Sequence, residues 1–154
     1  MKQILKLFTF ILMSMTLSNC SNADTPAFFD QYMWQYRPIV LLVKAESNQD
    51  YKDQMAQFDR NKTALKDRDI KLIRIIDGQS HEKARVYIND ELKPNLQTNV
   101  FFEHFQINPD QDQFTLILIG KDGGVKLKQN QFVPLEQITG LIDSMPMRKK
   151  EMRQ

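Results

Sequence analysis

Thiol and imidazole chemistry in this chain could come only from Cys20, His81 and His104. Disulfide exchange and thiol peroxidation both need a thiolate, and no cysteine follows Cys20. The two histidines stand in no ligand-spaced pattern such as HExxH, so no metal site is expected. Ser47 and Ser144 have no histidine at any motif spacing, which leaves nucleophilic catalysis unsupported. The run Gly120-Lys121-Asp122-Gly123-Gly124 lacks the spacing of a phosphate-binding loop and no helix follows it; a tight hairpin turn accounts for its residues. Asp67, Arg68 and Asp69 are expected to form a solvated connection between a helix and a strand. No catalytic residue and no cofactor is therefore expected.

The C-terminal Met145-Pro146-Met147-Arg148-Lys149-Lys150-Glu151-Met152-Arg153 is the most unusual stretch. Flexible thioethers beside cations suit an adaptable contact surface. Lys126, Lys128, Arg148, Lys149 and Lys150 are accordingly the candidate interaction residues. Two plainer readings stand beside this one. In the first, Pro146 stops a helix and a solubilising tail follows; in the second, the tail docks back onto its own acidic body near Asp67 and Asp69.

The chain that must position these groups has 154 residues, 42% hydrophobic and 26% charged, which suits one globular domain. Its formal charge of +2 comes from Lys2 and Lys6; the residues after 23 hold 19 basic and 19 acidic side chains. A balanced chain has no global field to draw it onto phosphate backbones, so nucleic acid is not expected as a partner. The charge is unevenly spread, with net −3 over residues 24–114 and net +3 over 115–154. The partner expected is an envelope protein or an acidic surface.

Residues 1–23 read as a signal peptide, with Lys2 and Lys6 before an apolar run from Leu7 to Leu17. As a helix that run spans roughly 16 Å, about half the hydrocarbon thickness of a bilayer, which disfavours a permanent span. Two processing readings compete. Ser21-Asn22-Ala23 places small residues where the general signal peptidase wants them, giving a periplasmic or secreted protein. Leu17-Ser18-Asn19-Cys20 resembles a lipobox, which would make Cys20 a lipid anchor and the only link to a membrane. Asn19 is bulkier than the residue usual before that cysteine, which favours cleavage after Ala23. An exported domain of this size buries about two thirds of its unfolded surface without disulfides.

Beyond a lead-in over 24–36, strand and helix patterns alternate. Ile39 to Val43 is a continuous apolar run after Pro38, as in a strand buried on both faces. A helix to about Lys66 follows, carrying Tyr51, Met55, Phe58 and Leu65 near one face, and then a second strand from Ile70 to Asp77. Strand, helix, strand implies a parallel pair with a right-handed crossover. Residues 78–97 are ambiguous: Ala84 to Lys93 fits two short strands around Asn89-Asp90, with a helix from Ser80 to Tyr87 as the alternative. A short helix capped by Thr98 carries Val100, Phe101 and Phe105. Phe114 to Ile119 and Val125 to Lys128 form a hairpin, and Leu135, Ile138, Leu141 and Ile142 mark a last helix before Pro146.

That order is the order of a thioredoxin-like α/β fold: a central mixed sheet with flanking helices, ending in a hairpin plus helix, over residues 37–147 with a basic tail at 148–154. RPIVLLV, LKDRDIKLIRIIDG, FTLILIGKDGGVKLK and LIDSMPMRKKEMR together resemble an uncharacterised family of short secreted bacterial proteins, a domain of unknown function that recurs in animal sushi-repeat-containing matrix proteins. The resemblance covers about residues 34 to 153. It implies a thioredoxin-like fold and export, and no established activity.

The departure from working thioredoxins is chemical. Where their dithiol lies, between first strand and helix, this chain has Ala45-Glu46-Ser47-Asn48-Gln49-Asp50. Where they carry a cis-proline before the last hairpin, matching the GKDG turns puts Thr115, and Pro109 comes too early. The expectation is an exported, redox-inactive binding module of the cell envelope. The alternative is a small hydrolase-like enzyme with a carboxylate site that no motif reveals.

Overall fold

The computed structural model describes residues 27–78 and 83–153. The expected signal peptide over residues 1–23, with Cys20, and His81 lie outside them. Among the described residues the order is α1 (Ala27–Asp30), β1 (Arg37–Val43), α2 (Gln49–Arg60), α3 (Lys62–Asp67), β2 (Ile70–Ile76), β3 (Arg85–Ile88), β4 (Glu91–Leu92), α4 (Thr98–His104), β5 (Phe114–Ile119), β6 (Val125–Gln129), α5 (Leu135–Ser144) and α6 (Pro146–Glu151). Six strands form one mixed sheet in the order β4-β3-β2-β1-β5-β6. β1 and β2 are parallel, while β5 runs antiparallel to β1 and β6 to β5. This arrangement is consistent with a thioredoxin-like α/β fold.

Every residue of β1 and β5 is buried because helices cover both faces of the sheet centre, which is why their sequences are unbroken apolar runs. Pro38 fits within β1 because pairing with β5 begins at Ile39, so the ladder loses no donor at the proline. On one face, Ile39, Leu41, Leu116 and Leu118 pack against Phe58, Ile138 and Ile142 from α2 and α5. On the other, Val40, Leu42, Ile73 and Ile117 meet an aromatic cluster of Phe29, Phe101 and Phe105.

Several local readings change, and the two short strands around Asn89-Asp90 are found as expected. The long helix breaks at Asn61, whose φ of −125° is not helical, so α2 and α3 are separate. The ambiguous segment is strand at Arg85–Ile88, and Asn89 and Asp90, both at positive φ (46° and 70°), make the two-residue turn into β4. Thr98 is not a cap: Gln97 is the N-cap, and Thr98 is buried as the first residue of α4. Val100 of that helix faces outward while Phe101 and Phe102 face inward. Gly123 turns the last hairpin at φ +79° with Met33 packed against it, so a side chain there would be strained and crowded. Pro146 does more than stop α5. It occupies the first turn of α6, where its missing N–H costs nothing, and residues 146–151 of the expected helix stop and basic tail are helical.

Candidate functional site

The corner after β1 carries no sulfur. Asn48 caps α2 there, its side-chain oxygen accepting from the Tyr51 N–H at 3.0 Å. Glu46 pairs with Arg85 at 3.2 Å. Beside them the Arg74 guanidinium lies 4.4 Å from the centre of the Tyr87 ring and donates to the Tyr51 hydroxyl (3.1 Å) and to Asp90 (2.8 Å). Burial pushes the Tyr51 hydroxyl above its usual pKa, against the pull of the Arg74 hydrogen bond. An amide cap and ion pairs can hold a conformation or a polar ligand; they cannot exchange disulfides. Thr115 lies inside β5 opposite Leu42, its hydroxyl 3.2 Å from Asn130 Oδ1. Ser144 donates to the Leu141 carbonyl of its own helix, and His104 packs edge-on to Phe105 at 4.8 Å. Among the described residues no cluster of His, Cys, Asp and Glu could hold a metal ion.

The opposite end of β1 is built differently. Arg37, 1% exposed, donates to both carboxylate oxygens of Glu151 (3.0 and 3.1 Å) and to the Arg68 carbonyl (3.0 Å). Lys121, at the hairpin turn, donates to Asp69 and to Glu151, both at 2.8 Å. Arg148 donates to the Asp67 carbonyl at 2.8 Å, to the Asp67 carboxylate, and to Asp143 at 3.2 Å. Arg68 completes the set with two bonds to Asp143, at 3.0 and 2.6 Å. Four cations thus meet four carboxylates, and the cluster is neutral as a whole. On the far side of the turn, the Trp34 N–H donates to the Lys121 carbonyl at 2.7 Å, holding Trp34 at φ 65° with its side chain in solvent.

These contacts set the ionisation of the cluster. Burial opposes charge on Asp143, but hydrogen bonds from Arg68 and Arg148 and their positive charges hold its carboxyl below the usual range. The same balance, with Arg37 and Lys121 as partners, lowers Glu151. Lys121 is raised: burial disfavours its charge, and Asp69 and Glu151 outweigh that.

The candidate interaction residues are not brought onto one surface. Arg148 turns inward and is buried. Lys128 reaches away from α6 to the Phe105 carbonyl (2.9 Å), at the end of α4. Lys126 pairs with Asp122 and, with Arg37, Lys121, Met145 and Met147, borders a cavity of about 290 Å³ between the hairpin turn and the α5–α6 joint. Lys149 and Lys150 are exposed, with no ion-pair partner among the described residues. Asp67, Arg68 and Asp69 are cluster members rather than a purely solvated connection. One signal for this was present in the sequence: Arg148 and Glu151 stand three apart, so they share a helix face that Lys149 and Lys150 do not.

A family model described as Domain of unknown function (DUF4174) matches residues 28–151. No curated protein and no solved structure matches the chain.

Proposed function

We propose that this chain, which belongs to the DUF4174 family, is an exported, thiol-free binding module of the cell envelope that engages an acidic partner through the outer face of α6. The observation that carries this reading is the division of labour on that helix. Arg148 and Glu151 are spent inside the cluster, together with Asp67, Asp69 and Asp143, whereas Lys149 and Lys150 keep their charge for a partner. A helix clamped from behind presents those lysines on a backbone that needs no further ordering on binding. Met145, Met147 and Lys126 around the adjacent cavity add an adaptable apolar pit for a partner's side chain.

Export rests on the N-terminal pattern of Lys2, Lys6 and the apolar run before Ala23. The resemblance of GKDGGVKLK and DSMPMRKKEM to extracellular-matrix domains fits the same location. The mass of the protein recovered from the envelope tests it: a chain starting at Asp24 is expected, a lipid adduct on Cys20 would replace the soluble form with an anchored one, and an unprocessed cytosolic chain would overturn export. The contact face is tested by retention on a poly-glutamate resin. Retention that falls with salt and is lost in Lys149→Glu with Lys150→Glu supports the face, and retention unchanged by that pair contradicts it.

A further inference from the structure

A groove of about 650 Å³ runs beside the first half of β2, and neither Lys149 nor Lys150 lines it. It exists because β3 is short. β3 pairs with Ile73 to Ile76 only, and the chain then turns away at Asn89-Asp90, so Ile70 to Leu72 keep β1 on one side and have no strand on the other. Asn89 seals the boundary: its side-chain oxygen accepts from the Leu72 N–H at 3.0 Å and its own N–H donates to the Leu72 carbonyl at 2.9 Å. Two residues further back the edge is open. The Arg37 N–H donates to the Asp69 carbonyl, so Asp69 and Lys71 face β1, while Ile70 faces outward with no backbone partner among the described residues.

The groove floor is apolar, made by Phe58 and Leu65 from the helices and Ile70 and Leu72 from the strand. Its three carboxylates are already engaged: Asp59 with Lys62 at 3.3 Å, Asp69 with Lys121 at 2.8 Å and Asp90 with Arg74 at 2.8 Å. Lys66 and Lys71 have no carboxylate partner among the described residues, and the Lys71 ammonium rests 4.6 Å from the centre of the Tyr36 ring. The charge left for a ligand is therefore positive, above an apolar floor and beside an unpaired strand edge.

We propose that this groove binds an extended acidic peptide segment of another protein, with apolar residues alternating with carboxylates. An extended segment points successive side chains to opposite faces. Laid along Ile70, it would set one series on Phe58 and Leu65 and turn the other towards Lys71, while its backbone meets the Ile70 N–H and carbonyl. This site is separate from the α6 face, and either can fail without the other.

The test uses the purified full chain and a fluorescently labelled peptide of about seven alternating glutamate and valine residues. Saturable binding is expected, weakened about tenfold by Lys66→Glu with Lys71→Glu and unchanged by Lys149→Glu with Lys150→Glu. Lys66→Gln with Lys71→Gln gives a milder loss and keeps the test readable should the reversal misfold. Slowed exchange of the Ile70 amide in the bound state is the second readout. No binding up to about 1 mM peptide, equal affinity in the Lys66/Lys71 variants, or an Ile70 amide untouched by binding overturns the proposal. So does a concentration-dependent dimer that masks the groove, because the occupant would then be a second copy.

Discussion

The two ends of β1 carry similar side chains in different states. Before the strand, Arg37, Arg68, Lys121 and Arg148 meet Asp67, Asp69, Asp143 and Glu151 in a neutral cluster around a guanidinium that is fully buried. After the strand, Arg74 and Arg85 meet Asp90 and Glu46 beside two tyrosines, in the corner where a thioredoxin would keep its thiols. Both clusters pair charges. The first joins segments far apart in the chain, and its Arg37 and Arg148 are more deeply buried than either arginine of the second. The second leaves Arg85 about a third exposed and ties the corner to β2, β3 and the Asn89-Asp90 turn. The fold has placed its costliest charges where the C-terminal helix must dock, which is a structural use. The corner that would be reactive in a working thioredoxin holds only an amide cap and its ion pairs.

Buried ion pairs contribute little net stability compared with apolar packing, yet removing one partner strands the other in a poorly solvated place. The largest effect is therefore expected from Arg37→Ala, which leaves Glu151, Asp69 and the Arg68 carbonyl without their central partner. Because those partners are partly exposed, the loss should be about 3 kcal/mol, measured by urea denaturation. In the other cluster Arg74→Ala should cost about 1 kcal/mol, since Asp90 and the Tyr51 hydroxyl can turn to water. Equal losses at the two ends would erase the distinction.

Acid should act next, and on the first cluster. Asp143 and Glu151 have lowered pKa values in the folded protein, so the stability they confer is complete above the unfolded carboxylate value and is lost as pH falls through the lowered one. The melting temperature should decline below about pH 4, and more shallowly in Arg148→Ala than in the parent chain. A decline of the same steepness in both would show that Asp143 owes nothing to Arg148.

Reversing Lys149 and Lys150 together should change stability by less than about 0.5 kcal/mol, because both are exposed and have no ion-pair partner among the described residues. The smallest effect concerns redox conditions. A Cys20→Ser chain should reduce no insulin disulfide and should melt at the same temperature with or without reductant, and measurable turnover would mean that the corner after β1 has a chemistry its residues do not show.

The sheet was legible because its central strands are continuous apolar runs and its hairpins carry Asn-Asp and Asp-Gly-Gly turns, all of which act within a few residues. The break at Asn61 was not, since the apolar face of Phe58 and Leu65 continues across it. The cluster was harder still. Arg148 meets Asp67 across 81 positions and Arg37 meets Glu151 across 114, and only the folded sheet brings those segments together. The charge split between acidic body and basic end pointed at the C-terminal segment, and docking near Asp67 and Asp69 was one of its readings. Which basic residue turned inward was set by the helical spacing of α6, and that helix was hidden because Pro146 reads as a stop.

Amide hydrogen exchange in α6 tests most directly whether the C-terminal segment is a docked helix. The Lys149 N–H donates to the Met145 carbonyl and the Met152 N–H to the Arg148 carbonyl, both at 3.0 Å. These two amides should exchange well below the rate of an unstructured chain, and their protection should collapse in Arg37→Ala and Arg148→Ala while surviving in Lys149→Glu with Lys150→Glu. Exchange at the unstructured rate in the parent chain would contradict the account, because the segment would then be a free basic tail with no helix to clamp.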